Sequence, residues 1–406
     1  MLQSMKKKAA PGLTGVPIGV WLALPQEWHS AVARLLDFVM KGGEWPQQAM
    51  EAYVSLIPKG MGTDVGMQRP ITVLELLYRV FATGVVRAWR PVLHNEHLGD
   101  QAMGFRANCG TRHIAQLLSD IVTMGKREGR EVWLVKFDVK KCYDSIPWWA
   151  LFGVMKKSGV SPRVVSCFRR FYEGLFRRFR FGSVDGERWK ASNGMAQGCP
   201  AAPDMLNVLF EPFQRWAAAQ GKGIALVSHE MVSSGSFADD VFLVAGSKED
   251  AEFLIEGYLK WCELLHLTVD PKKTQIWCSK RGVDGRVRVG TEMVDLSESF
   301  KFVGIVVAAT SEEEATKLHM EGRVDKAVMA ARRMEAINVP PWIKAHLWRS
   351  VVLPQALYGS EVRNVKTGAK GLGRLVTVAK RIVRKGFQLA KHWSAPEILI
   401  SRAVCA

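Results

Sequence analysis

Ser236-Phe237-Ala238-Asp239-Asp240-Val241-Phe242-Leu243-Val244 decides the reading of this chain. Two apolar, β-like arms flank a pair of acids, and the pattern predicts strand, turn, strand over residues 234–245. A tight hairpin presents both carboxylates at one strand end. Two unit charges about 4 Å apart repel by on the order of 4 kcal/mol at an effective dielectric of 20. Acids cluster in this way where a cation offsets the repulsion. Asp is also a common turn residue, so the pair alone fits a plain turn as well as a metal-binding tip. Far upstream, Glu131-Val132-Trp133-Leu134-Val135-Lys136-Phe137-Asp138 is β-rich and also ends in an acid. Asp138 alone would serve equally as a helix N-cap. Together, two strand-terminal acid sites supply the hard oxygen ligands that magnesium prefers, the requirement of two-metal phosphoryl chemistry.

The bulk of the chain fits a nucleic-acid partner. Lys and Arg number 56 against 39 Asp and Glu, a formal net charge of +17. Such an excess attracts polyanions; a basic surface with no partner is the plainer alternative. With 406 residues, 48% of them hydrophobic, there is ample material for a sizeable core in two or three lobes. No stretch approaches the roughly 20 apolar residues of a membrane helix. Lys6, Lys7 and Lys8, followed by Pro11 and Gly12, lack the apolar centre of a signal peptide. The expectation is an intracellular protein, in the nucleus or cytoplasm if the host is eukaryotic. None of the seven cysteines lies in a CxxC pair or has His at zinc spacing, which reads as reduced thiols and argues against a zinc knuckle in this sequence.

Hydrophobic periodicity predicts helices over 18–57, 72–93, 111–124, 147–157, 162–177 and 248–265, and an apolar helix through Met205 and Phe213. A hairpin is expected over 179–191, and strands near 274–278 and 300–307. From 311 onward the pattern is helical, with Val324, Ala327, Val328, Ala331 and Met334 on one face. Strands flanked by helices, then an all-helical tail, predict an α+β core with a helical appendage.

The ordered blocks resemble the reverse transcriptase family, and most of all its non-LTR retrotransposon branch. Residues 136–146, with Asp138 leading and Tyr143 and Asp144 following, resemble the first palm motif. Asn193–Pro203 resembles the Gln-Gly-x-Pro motif, and 237–240 the Ala-Asp-Asp box. Leu267–Gln275 resembles the block ending in Lys-Thr, and 300–305 the primer-grip hairpin. Upstream, residues 11–17, 57–60, 69–79 and 101–106 resemble finger blocks; downstream, 352–361 resembles a thumb segment. Each block is weak alone, but together they cover nearly the whole chain in the right order.

The resemblance implies a right-hand polymerase. Residues 1–130 would form the fingers, 131–308 a palm with a small antiparallel sheet and interleaved finger elements, and 309–406 an all-helical thumb with a basic end. It implies RNA-directed DNA polymerase activity, with two Mg2+ (or Mn2+) ions held by Asp138, Asp239 and Asp240. Tyr143 takes the place of the aromatic gate against a ribose 2′-hydroxyl. Gln197 and Gly198 face the nucleotide and template. Lys273 approaches the triphosphate or acts as a general acid for pyrophosphate, and Arg69 and Arg79 neutralise triphosphate charge, which the bidentate guanidinium suits. The partners implied are an RNA template, a DNA primer and deoxynucleoside triphosphates, with no membrane.

Two surfaces are candidates for backbone contact, which is largely blind to sequence. From Arg363 to Arg402 there are ten basic residues, among them Lys380, Arg381, Arg384 and Lys385, and one acid, Glu397. The second mixes Arg169, Arg170, Arg177, Arg178 and Arg180 with Phe171, Tyr172, Phe176 and Phe179. The chain departs from the family pattern at Thr14, where an acid is usual, and at Cys199-Pro200-Ala201-Ala202-Pro203. The endonuclease usual in such elements would be supplied by another chain or lost. Two alternatives stay open: a catalytically inactive, nucleic-acid-binding relict or truncated reading frame, and a reverse transcriptase of group II intron or retron type.

Overall fold

The computed structural model describes residues 9–58, 68–226, 231–280 and 285–363, with Gln3 and Met5. The chain divides into two compact units: Met1–Gly110, Val135–Thr274 and Arg286–Val294 form one, and Thr111–Leu134, Gln275–Gly285 and Asp295–Ala406 the other.

In the first unit, helices Ile18–Ala23 and Gln26–Met40 each start directly after a proline, Pro17 and Pro25. The helix expected to run to residue 57 stops there. Glu51–Pro58 is a strand instead, with Ala52 and Val54 buried and their neighbours half-buried. That period of two suits a pleated strand with one covered face. It pairs antiparallel with Gln68–Leu74 and parallel with Phe176–Phe181, so this sheet is mixed. The expected hairpin is present: Phe176–Phe181 pairs antiparallel with Val184–Asp185 and with Trp189–Lys190.

Helix Leu76–Val92 packs this sheet's neighbours together through aromatic rings. Tyr78 lies stacked on Phe171 at 3.4 Å between centroids, and Trp45 meets Phe81 and Phe171 at 5.1 and 5.3 Å. All four are buried, and each ring removed from water contributes on the order of a few kcal/mol.

The site-bearing sheet places Asp240–Ala245 between Ser234–Phe237 and strand Trp133–Phe137, of which Val135–Phe137 belongs to this unit. Helices Ala202–Ala219 and Lys248–Leu264 back it. Phe137 stacks on Tyr258 at 4.3 Å, and Phe213 meets the same ring at 5.0 Å. The start of Ala202–Ala219 is locked by Arg90, whose guanidinium fork donates to the fully buried Asp204 at 3.0 and 3.1 Å.

The second unit contains helix Thr111–Arg127, the hairpin Phe300–Phe302 and Ile305–Ala308, and helix Glu312–Ala336. The stripe read from sequence is its core: Val324, Ala327, Val328, Ala331 and Met334 pack with Val352 and Ala356. The buried His319 accepts from the Val306 amide through Nδ1 and donates from Nε2 to the Tyr358 carbonyl at 2.8 Å. Arg363 corrects the sequence reading. Counted there as the first cation of a basic tail, it is buried, and it donates to Glu312 at 2.7 Å, Ser119 at 3.1 Å and the Val307 carbonyl at 2.8 Å. Its charge holds the fold together. Lys380, Arg381, Arg384 and Lys385 lie outside the described residues.

Arg363→Ala strands two buried acceptors, and each unmade buried hydrogen bond costs about 1–3 kcal/mol. Thermal unfolding should therefore occur several degrees lower than in the unaltered chain; an unchanged midpoint would show the contacts to be idle.

Candidate active site

Everything in the candidate site is placed by the hairpin carrying Asp239. Phe237 pairs with Asp240 and Ser236 with Val241, leaving Ala238 and Asp239 as a two-residue turn. Ala238 has φ +60°, the left-handed region that costs a non-glycine residue about 1 kcal/mol. Neighbouring backbone holds it there. The outer edge of Ser234–Phe237 is closed by residues 101–103. Met103 donates its N–H to the Ser236 carbonyl, and Ser236 donates to the Gln101 carbonyl, both at 3.1 Å. The next residue, Gly104, lies against the Ala238 amide with no room for a Cβ. Asn207 donates to the Gly104 carbonyl at 2.6 Å, and Gln214 to the Ser236 hydroxyl at 2.8 Å. The Gln101–Arg106 block is thus a buttress beneath the turn.

The three acids converge here. Asp138 follows the neighbouring strand, fixed by the Asp270 amide donating to its carbonyl at 2.9 Å and by Lys140 donating to the Thr268 carbonyl at 2.8 Å. Solvent reaches Asp239 directly, while dense protein lies behind it. That partial desolvation raises its carboxyl above the usual range. Asp240 and Asp138 push the same way, and a backbone hydrogen bond and Arg69 oppose them. Lys136 pairs with Asp240 at 2.9 Å, and Lys273 with Asp138 at 3.3 Å. Tyr143 belongs to the same cluster: burial raises its phenol, Asp239 and Cys142 raise it further, and Arg69 lowers it. Asp138, Asp239, Asp240, Tyr143, Arg69 and Lys273 therefore share one electrostatic neighbourhood.

Residues 193–198 bracket this cluster. Met195 donates to the Tyr143 carbonyl at 2.6 Å and Gly194 to the Ile146 carbonyl at 2.7 Å. At φ +81°, a Cβ on Gly194 would meet the Asp144 carbonyl at 2.6 Å. At the other end, Thr72 of the strand carrying Arg69 donates to the Gln197 carbonyl at 2.7 Å, and Gly198, at φ +131°, has Thr72 backbone where a Cβ would sit. Both glycines are required by close backbone approach. The unusual Cys199 points away from this surface. It is buried, with the Tyr78 hydroxyl 3.1 Å from its sulfur.

Three expectations need revision. Arg79 is buried, donates to the Ala10 carbonyl at 2.7 Å and feels Glu75, so it anchors the N-terminal segment. That segment closes on the same acid, since Thr14 donates to Glu75 from both its amide and its hydroxyl at 2.8 Å. In the mixed Arg/aromatic surface, Phe171 and Tyr172 are core residues. Lys136 was missed. It stands near the end of strand Trp133–Phe137, and its ammonium reaches Asp240 of the neighbouring strand at 2.9 Å.

Among the described residues no three His, Cys, Asp or Glu side chains are drawn together as a closed metal cage. Asp138 and Asp240 each pair with a lysine instead. Magnesium does not require such a cage: it keeps several waters and takes one or two carboxylates plus substrate phosphate oxygens. A partly desolvated Asp239 facing two like-charged neighbours fits that demand.

The profile described as "Reverse transcriptase (RNA-dependent DNA polymerase)" matches residues 57–307. The chain is 25% identical over 257 residues to the "Transposon TX1 uncharacterized 149 kDa protein" of Xenopus laevis, covering 62% of this chain and 19% of that protein. It is 22% identical to a "Retrovirus-related Pol polyprotein from type-1 retrotransposable element R2" of Nasonia vitripennis, over 74% of this chain and 30% of that one. A similar polyprotein from the type-2 element R2DM of Drosophila melanogaster is 20% identical, over 82% and 32%. The chain thus spans a fifth to a third of the length of these curated relatives. Among solved structures it is similar to apo telomerase from Candida tropicalis, with TM-score 0.45 and 13% identity over 92% of this chain and 73% of that one.

The raised Asp239 carboxyl carries a stability signature. A carboxyl raised on folding contributes stability below its unfolded value, near 3.8, and loses it as pH rises through the folded value. With chelator present, Asp239→Asn should melt at a higher temperature than the unaltered chain at neutral pH, and the gap should close in acid. An equal or lower midpoint at neutral pH would contradict the geometry.

Proposed function

The chain belongs to the reverse transcriptase (RNA-dependent DNA polymerase) family, and we propose that it polymerises DNA on an RNA template as the reverse transcriptase of a non-LTR retrotransposon. The observation that carries this reading is the gathering of Asp138 and Asp240 on the Asp239 carboxyl, with Tyr143 and Arg69 in the same field. In this reading residues 1–130 are the fingers, 131–308 the palm and 309–406 the thumb. No described helix is long and apolar enough to cross a membrane.

Asp138 and Asp239 would hold divalent magnesium or manganese, with Asp240 completing the acidic group. Bound there, the ions would lower the barrier for attack of a primer 3′ hydroxyl on the nucleotide and stabilise the leaving oxygen. The chain's own groups do the rest. Arg69 stands close enough to Asp239 to lower its carboxyl, and its fork offsets triphosphate charge. The Tyr143 main chain is held by Met195, and its ring would exclude a ribose 2′ oxygen. Gln197 would offer its amide to the nucleotide, with Gly198, packed on Thr72 backbone, facing the template beside it. Lys273 stands 3.3 Å from Asp138 and would act as the general acid for departing pyrophosphate. Lys380, Arg381, Arg384 and Lys385 would grip the template–primer backbone.

Primer extension on a homopolymer RNA template tests the whole reading. The unaltered chain should incorporate deoxynucleotides, and Asp239→Asn should lose about 100-fold or more, the usual effect of removing one preorganised electrostatic group. Equal signal in both proteins defeats the proposal. In the same assay Tyr143→Ala should admit ribonucleotides at least about tenfold better, a difference of about 1.4 kcal/mol in transition-state binding. Unchanged sugar selectivity would remove Tyr143 from the gate.

A further inference from the structure

Two lysines stand on the outer members of the acidic trio, and they are held differently. Lys273 closes the short turn Pro271–Lys273, and its side chain is 65% exposed. Besides Asp138 it has Asp270 at 3.9 Å, so a second carboxylate is at hand when another cation takes Asp138. Lys136 lies on strand Trp133–Phe137, whose other four residues are all buried. Its side chain is 23% exposed, and its ammonium stands 2.9 Å from Asp240.

That is an unusual place for a cation. Asp240 opens a strand whose next five residues, Val241 to Ala245, are buried. Lys136 thus brings its charge to the end of an apolar sheet. A largely covered stem leaves the ammonium fewer positions to visit, so this pair costs less chain entropy than a fully exposed one. Asp240 in turn acts on the Asp239 carboxyl. A divalent ion arriving at Asp239 therefore meets an acidic neighbour already engaged by a fixed positive charge. Lys136 opposes the ion in two ways of the same sign. It occupies an oxygen of Asp240, and it already relieves the repulsion among the acids that an ion would otherwise relieve.

We infer that Lys136 is a positioning residue that sets how tightly the acidic group takes a divalent ion, by competing with the ion for Asp240. The inference rests on the proposed function only in taking Asp239 as a metal ligand. A lysine that merely steadied the sheet would support the ion-free and ion-bound protein alike, and ion affinity would not register its loss.

The test titrates the full chain with Mn2+ alone, without nucleotide or nucleic acid, and reads uptake from the loss of the free ion's electron spin resonance signal. Lys136→Met, which keeps the stem and removes the charge, should tighten binding by roughly three- to fivefold, the upper end for a partly exposed ion pair. Lys136→Gln gives the same reading if the Met variant does not fold. Lys136→Arg, which keeps the charge, should bind no tighter than the unaltered chain. With Asp240→Asn already in place, adding Lys136→Met should move the affinity by less than about twofold, because the effect runs through Asp240. Unchanged Mn2+ affinity on removing the charge overturns the proposal. So does an equal gain in the Asp240→Asn background, which assigns Lys136 to the general field of the site. Asp239→Asn separates the two readings. If it takes up Mn2+ as well as the unaltered chain, the metal-site reading falls and this inference with it. If it loses uptake while Lys136→Met matches the unaltered chain, only the assignment of Lys136 falls.

Discussion

Asp239 is held on a two-residue turn whose first residue, Ala238, lies in the left-handed region, and the rest of the site is arranged about that point. A left-handed alanine relaxes unless its surroundings over-determine it. Gly104 backbone beneath the turn and the hydrogen bonds from residues 101 and 103 to Ser236 supply that restraint. Residues far apart in sequence thereby become one piece of masonry, with helix Ala202–Ala219 bonded to it through Asn207 and Gln214.

The second requirement is charge balance. Three aspartates stand against three cations: Arg69, Lys136 and Lys273. None of these pairings is deeply buried. Lys273 is 65% exposed and Asp138 46%, so their attraction is worth less than about 1 kcal/mol. Such pairs satisfy the carboxylates between encounters and yield readily to a doubly charged ion.

Much of this was legible in advance because it depends on local pattern. The apolar arms around Asp239-Asp240, the β-rich run ending in Asp138 and the stripe from Val324 to Met334 each announce their element through period alone. The failures share another origin. Residues 51–57 read as helix because their pairing partners, strands Gln68–Leu74 and Phe176–Phe181, are remote in sequence. Arg79 read as a triphosphate contact and Arg363 as a tail cation because nothing local reveals that Ala10 or Glu312 waits for them. The Arg/aromatic segment was half right. Alternation along the strand sends its residues to opposite faces, and the preceding helix buries Phe171 and Tyr172 outright. Lys136 was missed for the same reason, since its partner Asp240 lies on a strand remote in sequence.

The bracket from Gly194 to Gly198 has a further meaning. It is anchored by main-chain bonds to Tyr143 at one end and to Thr72 at the other, and Thr72 shares its strand with Arg69. A short girder thus joins the strand of Arg69 to the turn of Tyr143, the two residues proposed to meet phosphate and sugar. Neither glycine tolerates a side chain, so the girder has little slack. In the proposed reading, a displacement at one end would be carried to the other, and inspection of phosphate and of sugar would be coupled.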